Sequence, residues 1–307
     1  MSMKIIFPGA LSSFQDKGRI GYQKYGITPS GAMDAWSMAA ANALVGNSPE
    51  TAVLEMTIAG PILQFTSSAV LALTGAPMTP TLNQKPIPMN ASFQVNPGDV
   101  LSVGCVTAGC RSYLAVKGGF DLEPVMGSCS TNLKCALGGF QGRALKPGDE
   151  ISFNLPEATL TESRTLPGIS CASDITLRVV PGPQEEYFSE NGKKTFYSTA
   201  YRVSDAADRM GYKLTGTPVE HNGTVDIVSD GIVFGSIQIP PNGMPMILMA
   251  DHQTTGGYAK IGTVLTCDLP KIAQAKPGDT IHFTQVTLAE ATQLYKEYAD
   301  RLRSLFA

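Results

Sequence analysis

An internal repeat limits the possible folds of this chain more than any other feature. Lys4–Gly9 is an apolar run closed by Pro-Gly, and Leu177–Gly182 has the same form in the second half. Asn96–Asp99 and Lys276–Asp279 each place Pro-Gly-Asp before an apolar run. Because the matches keep the same order at nearly constant spacing, the sequence predicts two homologous halves.

A further match relates Leu54–Gly60 to Val225–Gly231. Between the halves, Pro156–Ser173 is rich in Thr, Ser, Glu and Pro, a composition typical of a connecting segment. The sequence therefore predicts an N-terminal β domain over residues 1–160 and a C-terminal β domain with a terminal helix over residues 174–307.

Short apolar runs between turns indicate that both halves are mainly β. The chain holds 31 Gly and 21 Pro, and only 16% of its residues are charged, against roughly 25% in an average soluble protein. This composition excludes a disordered chain and a long coiled coil. The predicted strands include Ala69–Leu73, Ser112–Val116, Thr176–Val180, Gly231–Phe234 and Met246–Met249.

Two segments have the signals of short helices. Ser30 is a suitable N-cap for a helix over Gly31–Val45, and Gly46 follows the last apolar residue of that stretch. Leu288–Leu305 alternates apolar and charged residues with a helical period, which predicts a C-terminal helix on the surface.

Several classes of protein are excluded by what the sequence lacks. The net charge of -3 gives no reason to expect nucleic-acid binding, and no apolar run reaches the ~18 residues of a membrane span. P-loop, dinucleotide-binding, nucleophile-elbow and zinc-protease motifs are missing. The cysteines form no C-x-x-C pair and the histidines have no ligand spacing. We therefore expect reduced thiols, no metal site and a cytoplasmic protein without a signal peptide.

The most unusual stretch follows the apolar run Met244–Ala250. An acid, an imidazole, an amide, two hydroxyls and two glycines favour a binding loop, because Asp and His transfer protons and glycine lets backbone N–H groups approach a ligand. The alternative is a polar β-turn whose side chains satisfy their own backbone. The residues are Asp251, His252, Gln253, Thr254, Thr255, Gly256, Gly257 and Tyr258.

Three further positions are candidates for binding an anion. Ser30–Asp34 lies at the N-terminus of the first predicted helix, which attracts negative charge, although capping by Ser30 or Asp34 is the alternative. Arg143 ends a glycine-rich stretch and Arg209 stands in the second half, and a guanidinium suits a carboxylate or a phosphate. A surface ion pair is the alternative role for either arginine.

Several of these stretches resemble the family once called allophanate hydrolase subunit 2, also called the biotin-dependent carboxyltransferase subunit family. The resemblance runs over essentially the whole chain, and its motifs occur in the family's order. They are Ser30–Asp34, Ala41–Asn47, Leu54–Glu55, Gly138–Arg143, Asp208–Tyr212 and Gln253–Tyr258.

The resemblance implies two related cyclophilin-like β-barrel domains, which agrees with the repeat, and an obligate partner, the KipI-like B subunit, in a hetero-oligomer. For a free-standing chain it implies the C subunit of an ATP-dependent 5-oxoprolinase, in which the A, B and C subunits together hydrolyse 5-oxo-L-proline to L-glutamate. ATP, with Mg, would bind at a site shared with a partner. The alternatives are a regulatory protein that sequesters a kinase inhibitor, and the carboxyltransferase subunit of a biotin-dependent urea-type carboxylase.

Within that function, Asp251 and His252 are the expected pair for proton transfer. The residues expected to orient the substrate are Gln253, Thr254, Thr255, Gly256, Gly257, Tyr258 and Asp34. The candidates for binding phosphate are Lys260, Arg143 and Arg209.

Two positions depart from the family pattern. Cys129 stands within Gly-Ser-x-Ser-Thr where relatives tend to carry Arg, so a basic contact to an acidic ligand is missing. Ala259 replaces the Pro that usually follows Gly-Gly-Tyr, which loosens the turn.

Overall fold

The computed structural model describes residues 1–155, 159–223 and 226–307. Pro156, where the predicted linker begins, and Val225, where one repeat match begins, lie outside the described residues. The chain divides into two compact units: unit 1 comprises Met1–Arg19, Ser30–Cys171 and Leu302–Ala307, and unit 2 comprises Ile20–Pro29 and Ala172–Arg301. The domain limits at residues 160 and 174 stay a prediction.

Unit 1 is built on two β-sheets. The six-stranded sheet has the strand order β11-β1-β4-β9-β6-β7, and the five-stranded sheet has the order β2-β3-β10-β5-β8. The strands are β1 (Ser2–Phe7), β2 (Leu11–Gln15), β3 (Val53–Thr57), β4 (Ile62–Phe65), β5 (Ala69–Gly75), β6 (Thr81–Leu82), β7 (Lys85–Pro86), β8 (Ser92–Val95), β9 (Val100–Ser102), β10 (Arg111–Val116) and β11 (Glu150–Ser152).

The core of unit 1 is formed by side chains from both sheets, including Ile5, Phe14, Leu63 and Leu114. Helix α1 (Ala35–Val45) covers part of the five-stranded sheet with a second apolar cluster. Strand β5 is buried at every position because it contributes to both clusters, which explains its unbroken apolar sequence.

Helix α1 begins later than the sequence predicted. Ser30 has a positive φ of 57° and is not the cap; the N-cap is Asp34, whose side chain accepts a hydrogen bond from the Ser37 backbone N–H. The helix ends as predicted at Gly46, whose left-handed conformation suits a residue without a Cβ.

Unit 2 is a closed seven-stranded barrel with the strand order β12-β19-β16-β17-β14-β13-β20. A separate two-stranded sheet, which we call the ribbon, consists of β15 and β18. The strands are β12 (Asp174–Pro181), β13 (Tyr201–Val203), β14 (Gly211–Thr215), β15 (Asp226–Gly231), β16 (Ser236–Gln238), β17 (Met246–Leu248), β18 (Thr255–Tyr258), β19 (Lys260–Val264) and β20 (Thr280–Gln285).

The mainly β fold is confirmed, and four of the five named strands were predicted correctly to within three residues at each end. The predicted strand Gly231–Phe234 is wrong, because β15 ends at Gly231 and a turn follows. Three further helices are α2 (Glu190–Ser198), α3 (Leu269–Ala273) and α4 (Leu288–Ser304), the last of which was predicted. Among the described residues, no helix combines the length and apolar character that crossing a bilayer requires.

Candidate functional site

The turn after β17 carries the predicted proton-transferring pair, and its acid is already engaged. The Arg209 guanidinium donates from Nε to Asp251 Oδ2 at 2.9 Å and from Nη2 to Asp251 Oδ1 at 3.1 Å. The Asp251 backbone N–H also donates to the Arg209 carbonyl at 2.8 Å. Both side chains are buried, so a two-point ion pair fixes the turn. Arg209, predicted to bind phosphate, is occupied by this carboxylate.

His252 differs from its neighbour because its environment favours the neutral ring. The imidazole is 1% exposed, and its Nδ1 lies 2.7 Å from the Gln253 carbonyl oxygen. Because a carbonyl can only accept, Nδ1 carries the proton and the neutral ring holds its lone pair on Nε2. Burial lowers the pKa of His252, while the Gln253 carbonyl and the Asp251 carboxylate oppose that shift in part. The ring is therefore suited to accept a proton at neutral pH.

The glycine-containing stretch predicted to be a loop is a paired strand. In the ribbon, Gly256 pairs with Asp230 and Tyr258 pairs with Asp226. A Cβ on Gly256 would lie 2.6 Å from Gln238 Nε2, so the backbone of this strand packs closely on the Gln238 side chain. The prediction of an open loop was wrong here because Thr-Gly-Gly-Tyr has little intrinsic strand preference.

The side chains around this strand differ in exposure. Gln253 and Thr254 are half-buried and precede the strand, whereas Thr255 and Tyr258 are exposed. The Thr254 carbonyl accepts a hydrogen bond from the Ile232 backbone N–H at 3.1 Å, which closes the ribbon. The substrate-orienting role of these residues stays a prediction.

The two other predicted phosphate ligands also have carboxylate partners. Lys260 is buried and its Nζ lies 2.8 Å from Asp230 Oδ2, which is the main reason why the pKa of Asp230 is lowered. In unit 1, Arg143 donates from both terminal nitrogens to Asp149 at 2.7 and 2.8 Å. That pairing raises the pKa of Arg143 and lowers the pKa of Asp149. Each of these cations thus has a carboxylate partner within this chain, and their phosphate-binding role stays a prediction.

Asp34, predicted to orient the substrate, holds the start of α1. Its carboxylate accepts from the Ser37 backbone N–H at 2.9 Å and from Ser37 Oγ at 2.6 Å. The side chain is fully buried. The geometry is that of an N-cap, the alternative that the sequence left open.

A buried network in unit 1 was not foreseen from the sequence. Glu55 Oε2 accepts from the Tyr113 hydroxyl and from the Met33 backbone N–H, each at 2.8 Å, and Arg111 Nε lies 3.9 Å from Glu55 Oε1. Burial and, next, the Glu55 charge raise the pKa of Tyr113 well above its usual value. The sequence signals were an acid inside the apolar strand β3, which needs partners when buried, and the place of Leu54–Glu55 among the family motifs.

The loop that contains Cys129 wraps around a second buried acid. Asp16 Oδ1 accepts from Ser128 Oγ and Ser130 Oγ at 2.6 Å, and Asp16 Oδ2 accepts from the Cys129 backbone N–H at 2.6 Å. Burial raises the pKa of the Cys129 thiol. The hydrogen-bond donors of this loop are thus directed at the Asp16 carboxylate. Among the described residues, no three His, Cys, Asp or Glu side chains are grouped as metal ligands.

These features define a two-unit, mainly β protein whose second unit carries a buried neutral imidazole beside an Arg–Asp ion pair. Residues 25–285 match the family model for the carboxyltransferase domain, subdomain A and B. The chain belongs to this family, as its motifs predicted.

Proteins of known name resemble the chain over nearly its whole length. The 5-oxoprolinase C subunit of Escherichia coli (strain K12) is 36% identical over 94% of this chain and 93% of that protein. The protein of the same name from Haemophilus influenzae is 35% identical over 96% of this chain and 95% of that protein. The crystal structure of the K. lactis urea amidolyase aligns with a TM-score of 0.92 at 32% identity, over 99% of this chain and 20% of that chain.

Proposed function

We propose that this chain is the C subunit of an ATP-dependent 5-oxoprolinase and acts only together with the A and B subunits. The observation that carries the proposal is the match to two such C subunits over more than nine-tenths of both partners in each comparison. The urea amidolyase match, in contrast, covers a fifth of that much longer protein. A cytoplasmic location belongs to the same proposal, because the reaction consumes ATP.

In this proposal His252 is the catalytic base. Opening a lactam with water requires that the water lose a proton and that the leaving nitrogen gain one. The Nε2 lone pair of a neutral imidazole can take the first proton and return it to the nitrogen. Asp251, held by Arg209, then acts as a positioning residue for the turn, and its charge partly opposes the lowering of the His252 pKa.

Substrate contacts in this proposal come from the stretch that follows His252. Gln253, Thr254, Thr255 and Tyr258 offer amide and hydroxyl groups at the partly exposed edge of the ribbon. Such groups suit the carboxylate and the lactam oxygen of 5-oxoproline.

We assign ATP and its Mg to the partner subunits. The support is that Lys260, Arg143 and Arg209 each pair with a carboxylate within this chain. No step of the reaction on this chain is therefore derived through the nucleotide.

The proposal is tested on the co-purified complex of all three subunits. We expect L-glutamate and ADP to form only when 5-oxoproline and the complete complex are present. A complex that forms no glutamate, or A and B subunits that react equally well without this chain, would contradict the proposal.

A second candidate function is carboxyl transfer. It is favoured by the family model, whose description is a carboxyltransferase domain, and by the structural match to urea amidolyase. Transfer of labelled carboxylate from carboxybiotin to urea, measured with the same complex, would support it. If the complex transfers no carboxylate to urea but does form glutamate, the 5-oxoprolinase function is the one supported.

A further inference from the structure

A buried amide in unit 2 carries an acceptor that the described protein does not satisfy. Gln238, at the end of β16, is 1% exposed. Its Nε2 donates to the Tyr258 carbonyl at 3.3 Å. Within residues 1–155, 159–223 and 226–307, its Oε1 has no hydrogen-bond partner. Since buried polar atoms are nearly always hydrogen-bonded, this exception requires an explanation.

The orientation of this amide follows from its neighbour. The Tyr258 carbonyl can only accept, so the Gln238 nitrogen must face it and the oxygen must face elsewhere. Turning the amide over would bring two acceptors together. Gln238 therefore presents an acceptor, and the group that satisfies it must be a donor.

The ribbon lies directly against this amide. A Cβ on Gly256 would be 2.6 Å from Gln238 Nε2 and 2.5 Å from Ile232 Cδ1, so the backbone of β18 packs on the Gln238 side chain. The ribbon is tied down through the ion pair of Lys260 with Asp230, a carboxylate that is half exposed. For a ligand to reach Oε1 the ribbon would have to move, because Gln238 is 1% exposed and β18 packs on it.

We propose that Gln238 Oε1 accepts a hydrogen bond from the amide N–H of the substrate, in a site between the ribbon and the barrel. The inference rests on the proposed function, because a lactam such as 5-oxoproline supplies this N–H next to the carbonyl carbon that reacts. Four residues separate His252, the proposed base, from Gly256, which packs on the Gln238 amide. The Cα atoms of these two residues are therefore at most roughly 14 Å apart. Gln238 is thus a specificity-determining residue for N–H-bearing amides.

The test compares 5-oxoproline with N-methyl-5-oxoproline, which lacks the N–H. Binding to the assembled complex is measured by calorimetry without ATP, for the wild type and for Gln238→Met. We expect the wild type to bind 5-oxoproline about tenfold or more tightly than the methylated analogue, as the loss of one buried hydrogen bond predicts. In Gln238→Met the two dissociation constants should agree to within about threefold.

Gln94→Met in unit 1 is the matched control. Its Oε1 already accepts from the Leu160 backbone N–H at 2.7 Å, so this variant should keep the wild-type preference. A melting curve confirms that each variant is folded. The comparison of the two ligands on the wild-type complex does not depend on any variant folding.

A wild type that binds both ligands equally, or a Gln238→Met variant that keeps the full preference, overturns the inference and leaves a bound water as the partner of Oε1. If the wild-type complex still converts 5-oxoproline to glutamate, the proposed function stands although the inference about Gln238 does not. A complex that neither binds nor converts 5-oxoproline removes both.

Discussion

Each unit buries an acid beside an arginine and an aromatic ring, yet the two clusters do different things. In unit 1, Glu55 accepts from the Tyr113 hydroxyl and a backbone N–H. The high pKa of Tyr113 keeps that ring a neutral donor. The network joins Met33, just before α1, to strands β3 and β10.

The cluster in unit 2 is arranged so that its ring keeps a basic nitrogen. Arg209 and Asp251 pair with each other, and His252 directs its Nδ1 to the Gln253 carbonyl. Burial of a charged group is common to both clusters and does not by itself mark the candidate site. What distinguishes the candidate site is a buried ring whose lowered pKa keeps it neutral, with an unprotonated nitrogen that can accept a proton.

Removing the imidazole should separate chemistry from stability. We expect His252→Gln to lower kcat of the assembled complex by roughly 10²- to 10⁴-fold, the usual contribution of a general base, with a change of about 1 kcal/mol or less in the free energy of unfolding. Glutamate release and urea denaturation measure the two effects. His221→Gln is the control, because His221 stacks on Phe188 and contacts the Pro240 carbonyl, and it should keep kcat. A fully active His252→Gln complex would show that His252 is not the catalytic base.

Breaking the unit 1 cluster should mainly lower the stability of the protein. Glu55→Ala leaves two buried donors and the Arg111 charge without this acceptor, which should lower the free energy of unfolding by about 3–5 kcal/mol. Glu50→Ala, which removes an exposed partner of Lys17, should cost no more than about 1 kcal/mol. If urea denaturation gives similar losses for both variants, the Glu55 network is not structural.

A smaller effect distinguishes a helix cap from a substrate ligand at Asp34. Asp34→Ala should lower the free energy of unfolding by about 0.5–2 kcal/mol because the Ser37 N–H loses its acceptor. Asp34→Asn keeps a capping oxygen and should recover most of that loss. Thermal melting measures both, and a large rise in KM for 5-oxoproline in a stable Asp34→Asn complex would show that Asp34 contacts the substrate.

The smallest expected effect is on pH dependence. Because the pKa of His252 is lowered in the folded protein, the unfolded chain binds more protons between that value and the unperturbed pKa of about 6.5. The free energy of unfolding should therefore rise with pH through this window and level off above it. His252→Gln should abolish this part of the slope in urea titrations at several pH values. A slope that persists in the variant would assign it to another group.

The activity of the complex should follow the same ionisation. A base must be neutral, so kcat/KM should fall as the pH drops through the lowered pKa of His252, below about 6.5. An acid limb that lies above this pH would contradict the assignment.

The local parts of the fold could be predicted because they depend on local rules. The strands around Ala69–Leu73 and Met246–Met249, the end of α1 at Gly46 and the C-terminal helix all follow from residue type and periodicity. The start of α1 was misjudged because Ser30 and Asp34 are both good caps, and only the positive φ of Ser30 decides between them.

The amino-acid sequence by itself determined the mainly β fold, the family and the two residues Asp251 and His252 as a place to look for chemistry. Tertiary structure decided that the Asp251 carboxylate is held in an ion pair, because its partner Arg209 comes 42 residues earlier in the chain. It also decided that the amide of Gln238 lies against Gly256. Residue type and spacing act over a few neighbours, whereas burial and ion pairing depend on strands that meet only when the barrel closes.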